Sequence, residues 1–349
     1  KVAERLRGCC RRPAVIARLG GDEFAIVVPE RETREAVRTL GTRVVDTLSA
    51  PYEIDGRQLR IGASVGAAIA PEAGHDADTL LKHADLAMYR AKGAGRGTVV
   101  LFEPGMDVEV HERGALDDDL RGAFERDELT LRWQPRIDSV SGEISGVEAL
   151  PCWIHPERGR MDRASVESVA ERTGLLRRLG CRVLEGACRA AASWSSGLPV
   201  TVEVSASHLG YGVLAEDVAE ALRSSALAPV RLEIRVAESG LSQDHGIVSE
   251  TLFELRRHGV RLTMGDVGTG RVSLDQLRRL PFDRLRIDAS LVAELGTDPE
   301  VCAVLRAVVG LGNGLGMRVS AAGVNGEPQY ALLRDQGCAE MQGELFAPV

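Results

Sequence analysis

The sequence predicts two domains of different fold classes, an α+β domain followed by an α/β domain of the (β/α)₈ barrel type. Its 349 residues correspond to about two domains, at roughly 150 residues each. In residues 1–103 the apolar segments follow the order β, β, α, β, α, which is typical of the α+β class. In residues 116–349 about eight short aliphatic segments alternate with helical ones, the pattern of a (β/α)₈ barrel. A polar linker is expected at residues 104–115.

The elements of the first domain follow from apolar periodicity and from its breaks. A Gly-Gly turn between two apolar segments predicts a β-hairpin, and apolar residues three and four apart predict helices. Pro51 ends the first helix, and Gly93 with Gly95 ends the second. The predicted elements are, in order, strands at 14–19 and 24–28, a helix over 34–49, a strand over 59–69 and a helix over 77–92.

The elements of the second domain are short aliphatic strands separated by amphipathic helices. Strands are predicted near 129–134, 144–150, 200–204, 232–236, 260–264, 284–287, 318–321 and 340–342. Intervening helices include 177–194, 213–224, 249–257 and 300–311. Because active residues of such barrels lie at the carboxyl ends of the strands, functional side chains are expected there.

Charge and composition exclude several classes of protein. The net charge of −8 and the lack of a basic tract argue against nonspecific nucleic-acid binding. No apolar run approaches the ~18 residues of a membrane span, and Lys1 begins the chain without an initiator Met or a signal core. The seven cysteines show no zinc-site spacing, which favours reduced thiols. We therefore expect a cytoplasmic fragment of a longer protein, whose upstream part is free to carry a sensor or membrane region.

The first motif is the hairpin turn itself. From the local sequence alone, a solvated hairpin tip explains the acidic pair Asp22 and Glu23 as well as a functional site does. The larger set of residues is more specific, and it comprises Arg18-Leu19-Gly20-Gly21-Asp22-Glu23-Phe24, Ala63-Ser64-Val65-Gly66, the segment Ala84 to Lys92, and Arg96. Together these residues resemble the GGDEF family of diguanylate cyclases over roughly residues 1–103.

That resemblance implies a half-site for joining two GTP molecules into cyclic di-GMP with Mg²⁺. It assigns metal binding to Asp22, a catalytic role beside it to Glu23, contact with guanosine to Gly20 and Gly21, and phosphate binding to Lys92 and Arg96. By themselves, Lys92 and Arg96 are typical partners of a helix dipole. The family's opening segment lies upstream of Lys1, so we expect the fragment alone to be inactive and its complete parent to be the cyclase. The product-binding Arg-x-x-Asp is replaced by Arg11-Arg12-Pro13-Ala14, which argues against product feedback.

The second motif ends an early barrel strand. Glu148-Ala149-Leu150, preceded by Trp133-Gln134-Pro135, resembles the EAL family of cyclic-di-GMP phosphodiesterases from about residue 116 to the end. Further matches are Glu238-Ser239, Asp266 with Gly268-Thr269-Gly270, Ile287-Asp288, Gly323-Val324 and Gln342-Gly343. Hydrolysis by two metal ions requires several converging carboxylates.

Most ligand positions of that family depart from its pattern. Glu148 remains and Glu203 replaces an Asn, but different residues stand at four other metal positions: Arg235, Gly265, Ala322 and Asn325. Arg286 replaces the Lys associated with the general base, and Cys152 replaces a phosphate-binding Arg. The residual site comprises Glu148, Glu203, Glu238, Asp266, Arg286 and Gln342; these residues either retain ligand binding or now serve only as structural hydrogen-bond partners.

Arg235 is the decisive departure. A fixed positive charge ~4 Å from a divalent ion costs about 8 kcal/mol at an effective dielectric constant near 20, twice the unit-charge value. We therefore predict that the barrel has no metal cofactor and no phosphodiesterase activity, and that Glu148 and Glu203 pair with Arg235.

The leading hypothesis is a bacterial cyclic-di-GMP signalling protein whose parent makes the dinucleotide, with a catalytically silent barrel as regulator. The alternative is a receptor or scaffold in which both domains are silent. Expected partners are GTP, cyclic di-GMP and a protein partner at the barrel. The resemblance also implies a homodimer, because cyclase chemistry in that family joins two domains and EAL barrels commonly pair.

Overall fold

The computed structural model describes residues 1–10, 13–29, 33–54, 57–93, 95, 97–242, 245–267, 274–296 and 298–347. The chain divides into two units, Lys1–Asp119 and Leu120–Val349. Each unit is built around its own elements.

The first unit combines three small sheets with helices. Its elements are α1 (Val2–Cys9), β1 (Val15–Gly20), β2 (Glu23–Val27), α2 (Arg34–Ser49), β3 (Tyr52–Ile54), β4 (Arg57–Leu59), β5 (Val65–Ala67), α3 (Ala77–Gly93), β6 (Val99–Leu101) and the first part of α4 (Met106–Ala123). The pairs β1–β2 and β3–β4 are antiparallel, and β5–β6 is parallel. The predicted hairpin and both predicted helices are therefore present.

Two predicted segments differ from the observed ones. The single strand expected over 59–69 is two strands, because β4 pairs with β3 whereas β5 pairs with β6. The segment interpreted as a linker, 104–115, is largely the beginning of α4. Met106 is buried against Ala87 and Phe102, and this packing anchors the helix where composition indicated only a polar connection.

The second unit alternates strands and helices along its length. Its elements are the end of α4, β7 (Leu129–Asp138), β8 (Ile144–His155), β9 (Gly159–Met161), α5 (Arg163–Arg172), α6 (Leu176–Ser193), β10 (Val200–Val204), α7 (Ala206–Gly210), α8 (Leu214–Ser225), β11 (Leu232–Ala237), α9 (His245–Arg257), β12 (Arg261–Val267), α10 (Leu274–Arg279), β13 (Arg284–Ile287), α11 (Ala289–Ala293), α12 (Pro299–Gly314), β14 (Arg318–Ala321), α13 (Glu327–Asp335) and β15 (Glu340–Met341). Short 3₁₀ turns lie at Pro229–Arg231 and Glu238–Ser242.

Eight strands close into a barrel, as the sequence predicts. The order is β7-β8-β10-β11-β12-β13-β14-β15, and β15 pairs with β7 to complete the ring. One strand departs from the all-parallel pattern, since β7 is antiparallel to both β8 and β15. Only residues 139–143 join β7 to β8, too few for the crossover that a parallel pair requires.

Alternation along the strands places charge inside the barrel. On β10, Val200, Val202 and Val204 are buried apolar residues, and Thr201 and Glu203 lie on the opposite face. Thr201 and Glu203 pair in register with Glu233 and Arg235 of β11. The barrel interior therefore carries ionised side chains in successive layers along the strands.

Candidate functional site

The hairpin tip of the first unit presents its acidic residues to solvent. Gly20 to Glu23 are exposed, and Gly21 has a φ of 47°, a left-handed conformation that favours glycine. Arg18 donates from Nε and Nη2 to the Gly21 carbonyl oxygen at 3.0 and 2.6 Å, which holds the turn closed. Lys92 is exposed in the last turn of α3, whereas Arg11, Arg12 and Arg96 lie outside the described residues.

The carboxyl ends of the barrel strands, here called the mouth of the barrel, surround one buried guanidinium group. Arg235, 2 % exposed on β11, donates from Nε to Glu203 Oε2 at 2.9 Å. Its Nη2 donates to both Glu203 Oε2 and Glu148 Oε1. The ion pairs predicted from the sequence are therefore present, and they join the ends of three barrel strands.

A second cation, which sequence reasoning missed, completes this cluster. Arg163, the first residue of α5, donates from Nη1 to Glu203 Oε2 at 2.7 Å, and its Nη2 lies 2.5 Å from Oε1. Its Nε also donates to Glu167 Oε1 at 2.9 Å. The pair Arg163 and Glu167, four apart on one helix, was visible in the sequence, but nothing local showed that this helix begins at the barrel mouth.

Gly265 gives Arg235 the space it occupies. A Cβ atom at position 265 would lie 3.0 Å from Arg235 Cδ and 3.1 Å from Cγ, closer than nearly all real Cβ contacts. The two residues are neighbours across β11 and β12, where Ala237 pairs with Gly265. Arg235 and Gly265 look like independent departures from the family pattern in the sequence, but they form one packing arrangement.

The remaining polar residues surround Glu148. Gln342 Nε2 donates to Glu148 Oε2 at 2.8 Å and to Gln134 Oε1 at 2.7 Å. Arg286 Nη2 lies 3.9 Å from Glu148 Oε2, and its Nη1 lies 3.6 Å from Asp266 Oδ1. Asp266 has a φ of 59°, a left-handed conformation that is unusual for a non-glycine residue.

These ion pairs shift the pKa values of the mouth residues. Burial raises the pKa of Glu148, but the charges of Arg235 and Arg286 outweigh burial and hold that pKa at about 2. Arg235 and Arg163 likewise overcome burial to lower the pKa of Glu203. Burial raises the pKa of Asp266, helped by the charge of Glu203. Burial lowers the pKa of Arg286, helped by repulsion from Arg235.

Three of the other predicted positions, Ala322, Cys152 and Asn325, carry no carboxylate. Ala322 and Cys152 are buried, and Glu238 is buried at the start of a 3₁₀ turn. Asn325 Oδ1 accepts from the Glu344 amide at 3.2 Å. Glu148 and Glu203 already bind the guanidinium of Arg235, and Asp266 lies 3.6 Å from that of Arg286, so these residues do not fit a pair of divalent metal ions.

A second charged layer lies deeper in the barrel. Glu233, fully buried, accepts from Arg136 Nη1 and Nη2 at 2.8 and 3.1 Å and from Thr263 Oγ1 at 2.6 Å. Arg284 Nε lies 3.2 Å from Glu233 Oε2 and also pairs with Glu340. A polar cavity of about 10 Å³, roughly the space that one water molecule needs, separates this layer from the mouth cluster.

Comparison with known proteins agrees with both resemblances seen in the sequence. The family model described as EAL domain matches residues 117–349, and the model described as diguanylate cyclase, GGDEF domain, matches residues 1–98. An uncharacterized signaling protein of Caulobacter vibrioides is 40% identical over 98% of this chain and 42% of its own length. The bifunctional diguanylate cyclase/cyclic di-GMP phosphodiesterase MucR of Pseudomonas aeruginosa is 38% identical over 99% of this chain and 51% of its own length.

A solved structure of the P. aeruginosa MucR phosphodiesterase in complex with c-di-GMP is similar to the second unit in fold. It has a TM-score of 0.65 and 35% identity, and the match covers 67% of this chain and 96% of that one. This chain spans about half the length of the curated relatives, or less. Within the described ranges, no helix is long and apolar enough to cross a membrane.

Proposed function

Because the chain belongs to the EAL domain family over residues 117–349 and matches the GGDEF family over residues 1–98, we propose that it is a cyclic-di-GMP signalling protein with a non-hydrolytic barrel. One observation carries this proposal. Arg235 lies between two carboxylates of the mouth, Glu148 and Glu203, and binds both of them.

The physical argument is one of charge. Two-metal hydrolysis places divalent ions between carboxylates so that a bridging water loses its proton. Here a guanidinium occupies the space between the carboxylates, and Arg163 adds a second positive charge on Glu203. A metal ion that displaced Arg235 would leave the buried positive charge of this side chain without its carboxylate partners. Arg235 is 2 % exposed, so that charge has little access to solvent.

The barrel then acts by binding or by regulating the rest of the protein. We assign the residual contacts with cyclic di-GMP to Glu238, Asp266, Arg286 and Gln342, with a protein partner as the alternative occupant of this face. Arg286 suits a phosphate because its planar fork matches two oxygens and its present ion pairs, at 3.6 and 3.9 Å, are long.

Incubation of the full chain with cyclic di-GMP and Mg²⁺ or Mn²⁺ is expected to give no linear pGpG above the level of the Glu148→Gln variant. The reason is that Arg235 already holds the carboxylates of Glu148 and Glu203. Product is measured by chromatography, with the P. aeruginosa MucR phosphodiesterase domain as the positive control. Formation of pGpG that chelation abolishes, and that Glu148→Gln loses, would refute the silent barrel.

We further propose that the complete protein synthesises cyclic di-GMP at its amino-terminal domain. The supporting observation is the exposed hairpin tip, where Asp22 and Glu23 are free to meet Mg²⁺ and GTP held by a second copy. Lys92 and Arg96 are proposed to bind phosphates, and Gly20 and Gly21 to admit the guanosine. The proposed division of the chain is a GGDEF domain at 1–103, a helical linker at 104–115 formed largely by the beginning of α4, and an EAL domain at 116–349.

The complete parent protein is expected to convert GTP to cyclic di-GMP with Mg²⁺, and Asp22→Ala is expected to abolish synthesis, because a metal-binding carboxylate is lost. Asp46→Ala, a change of the same kind on the exposed face of α2, is the matched control and should retain activity. Absence of product from a parent that dimerises would instead favour the receptor or scaffold with two silent domains.

A further inference from the structure

A group of three potential metal ligands lies on helices outside the barrel sheet. Cys181 is on α6, His208 on α7 and Asp217 on α8, and their donor atoms all lie within 4.8 Å of one another. The sequence separates them by 27 and 9 residues and shows no zinc-site spacing, so only the packing of the three helices brings them together. Among the described residues, no other group of this kind is found.

We propose that Cys181, His208 and Asp217 form a Zn²⁺ site that ties α6, α7 and α8 together. A sulfur, a nitrogen and a carboxylate oxygen are the donors that Zn²⁺ takes in proteins, whereas Mg²⁺ and Ca²⁺ take oxygen donors. Three protein ligands leave the fourth tetrahedral position for water.

The geometry needs only a small adjustment. Tetrahedral zinc with bonds of about 2.0–2.3 Å places its ligand atoms about 3.3–3.7 Å apart. His208 Nε2 and Asp217 Oδ2 lie 2.8 Å apart, and the remaining separations are at most 4.8 Å. Movements of about an ångström, within the reach of side-chain rotation, bring all three atoms to zinc distance.

His208 is enclosed by the helices around it. Its side chain is 0 % exposed. The ring fits because position 180 is glycine, where a Cβ would lie 2.7 Å from Nδ1. Zinc replaces the hydrogen bond between Nε2 and Asp217, and the ring proton moves to Nδ1.

The site carries two negative charges and one exposed positive charge around a divalent ion. Binding breaks the S–H bond of Cys181, whose proton leaves to solvent, and forms a thiolate–zinc bond. The thiolate and the Asp217 carboxylate offset the charge of Zn²⁺, and the remaining charge is that of Arg177, which is half exposed and screened by solvent. Arg177 Nη2 donates to Asp217 Oδ1 at 3.0 Å and can keep this bond as an outer partner, while Oδ2 turns to the metal. Arg177 is half exposed, so its second bond, from Nε to Oδ2 at 3.1 Å, is free to open.

The test uses the full chain after removal of metals by a chelator. Titration with Co²⁺, a spectroscopic substitute for Zn²⁺, is expected to produce a thiolate-to-metal charge-transfer band with one equivalent bound. Zn²⁺ should then displace Co²⁺ and bleach the band. Zinc affinity is measured separately by competition with a chromophoric chelator.

Cys181→Ser is expected to lose the band, because it removes the thiolate, and Asp217→Asn is expected to need more Co²⁺ to reach it. Both variants should weaken zinc binding by about 100-fold or more, since loss of an outer partner alone weakens binding 10–100-fold. Cys302→Ser, which alters a partly exposed cysteine on α12, is the matched control and should match the unchanged chain. Circular dichroism of the metal-free variants checks that each one folds. A chain that gives no charge-transfer band, or a Cys181→Ser variant that binds zinc unchanged, would overturn the proposal.

Discussion

Glu233→Gln is expected to destabilise the barrel by about 3–5 kcal/mol at pH 7, because it removes the negative charge shared by two buried arginines. Glu233 is fully buried and pairs with Arg136 and Arg284, which are themselves less than a tenth exposed. Glutamine keeps the shape of the side chain but leaves both guanidinium groups short of a counter-charge. Loss of one partner from a buried pair is therefore far more costly than loss of an exposed one.

Chemical denaturation followed by tryptophan fluorescence measures this effect. All three tryptophans, Trp133, Trp153 and Trp194, belong to the second unit, so the signal reports on the barrel. Glu220→Gln is the matched control, because its pair with Arg223 is exposed, and its effect should be at most about 1 kcal/mol. A similar loss of stability in both variants would contradict a special role for the buried layer.

Arg235→Met is expected to destabilise the barrel by about 3–5 kcal/mol at pH 7, and this difference should shrink as the pH falls. In the unchanged chain the pKa of Glu148 lies at about 2, below its ordinary value of 4.5. Stability from this pairing is thus present above about pH 4.5 and is lost as the pH falls through about 2. Without Arg235, the pKa of Glu148 rises from about 2, because burial is then opposed only by Arg286 and Arg163. Protonation of Glu148 as the pH falls therefore relieves the variant more than the unchanged chain.

Denaturation of both proteins at pH 7, 5.5 and 4.5 checks the expected convergence. Arg256→Met is the matched control, since Arg256 is half exposed and pairs with Asp283 at 3.2 Å. The control should lose about 1 kcal/mol or less, with little dependence on pH. A constant difference between Arg235→Met and the unchanged chain across this range would show that Glu148 does not depend on Arg235 for its charge.

The strands and helices were predictable because they follow from periodicity within a few residues. Each of the eight barrel strands was placed near its observed position, and the helices over 34–49 and 77–92 agree closely with α2 and α3. The prediction of a single strand over 59–69 is wrong, because periodicity does not reveal which partner a strand pairs with. Periodicity also did not reveal that β7 is antiparallel to its neighbours, which the short length of the turn after β7 decides.

The site was predictable in part. Arg235 stood out because a family motif defines which residue belongs at that position, and its pairing with Glu148 and Glu203 followed from charge. Arg163 carried no comparable signal, because its role depends on where α5 begins relative to β10. The space that Gly265 leaves for Arg235 was equally hidden, since a missing Cβ has meaning only beside its neighbour.

By itself, the sequence determined the two fold classes, the order of their elements and the two family motifs. Only the tertiary structure decided which charges meet. Arg136 and Glu233 are 97 residues apart, Arg235 and Glu148 are 87 apart, and Cys181 meets His208 and Asp217 across three helices. The reason is physical: secondary structure depends on neighbouring residues, whereas ion pairs and metal ligands depend on distances that exist only once the barrel has closed.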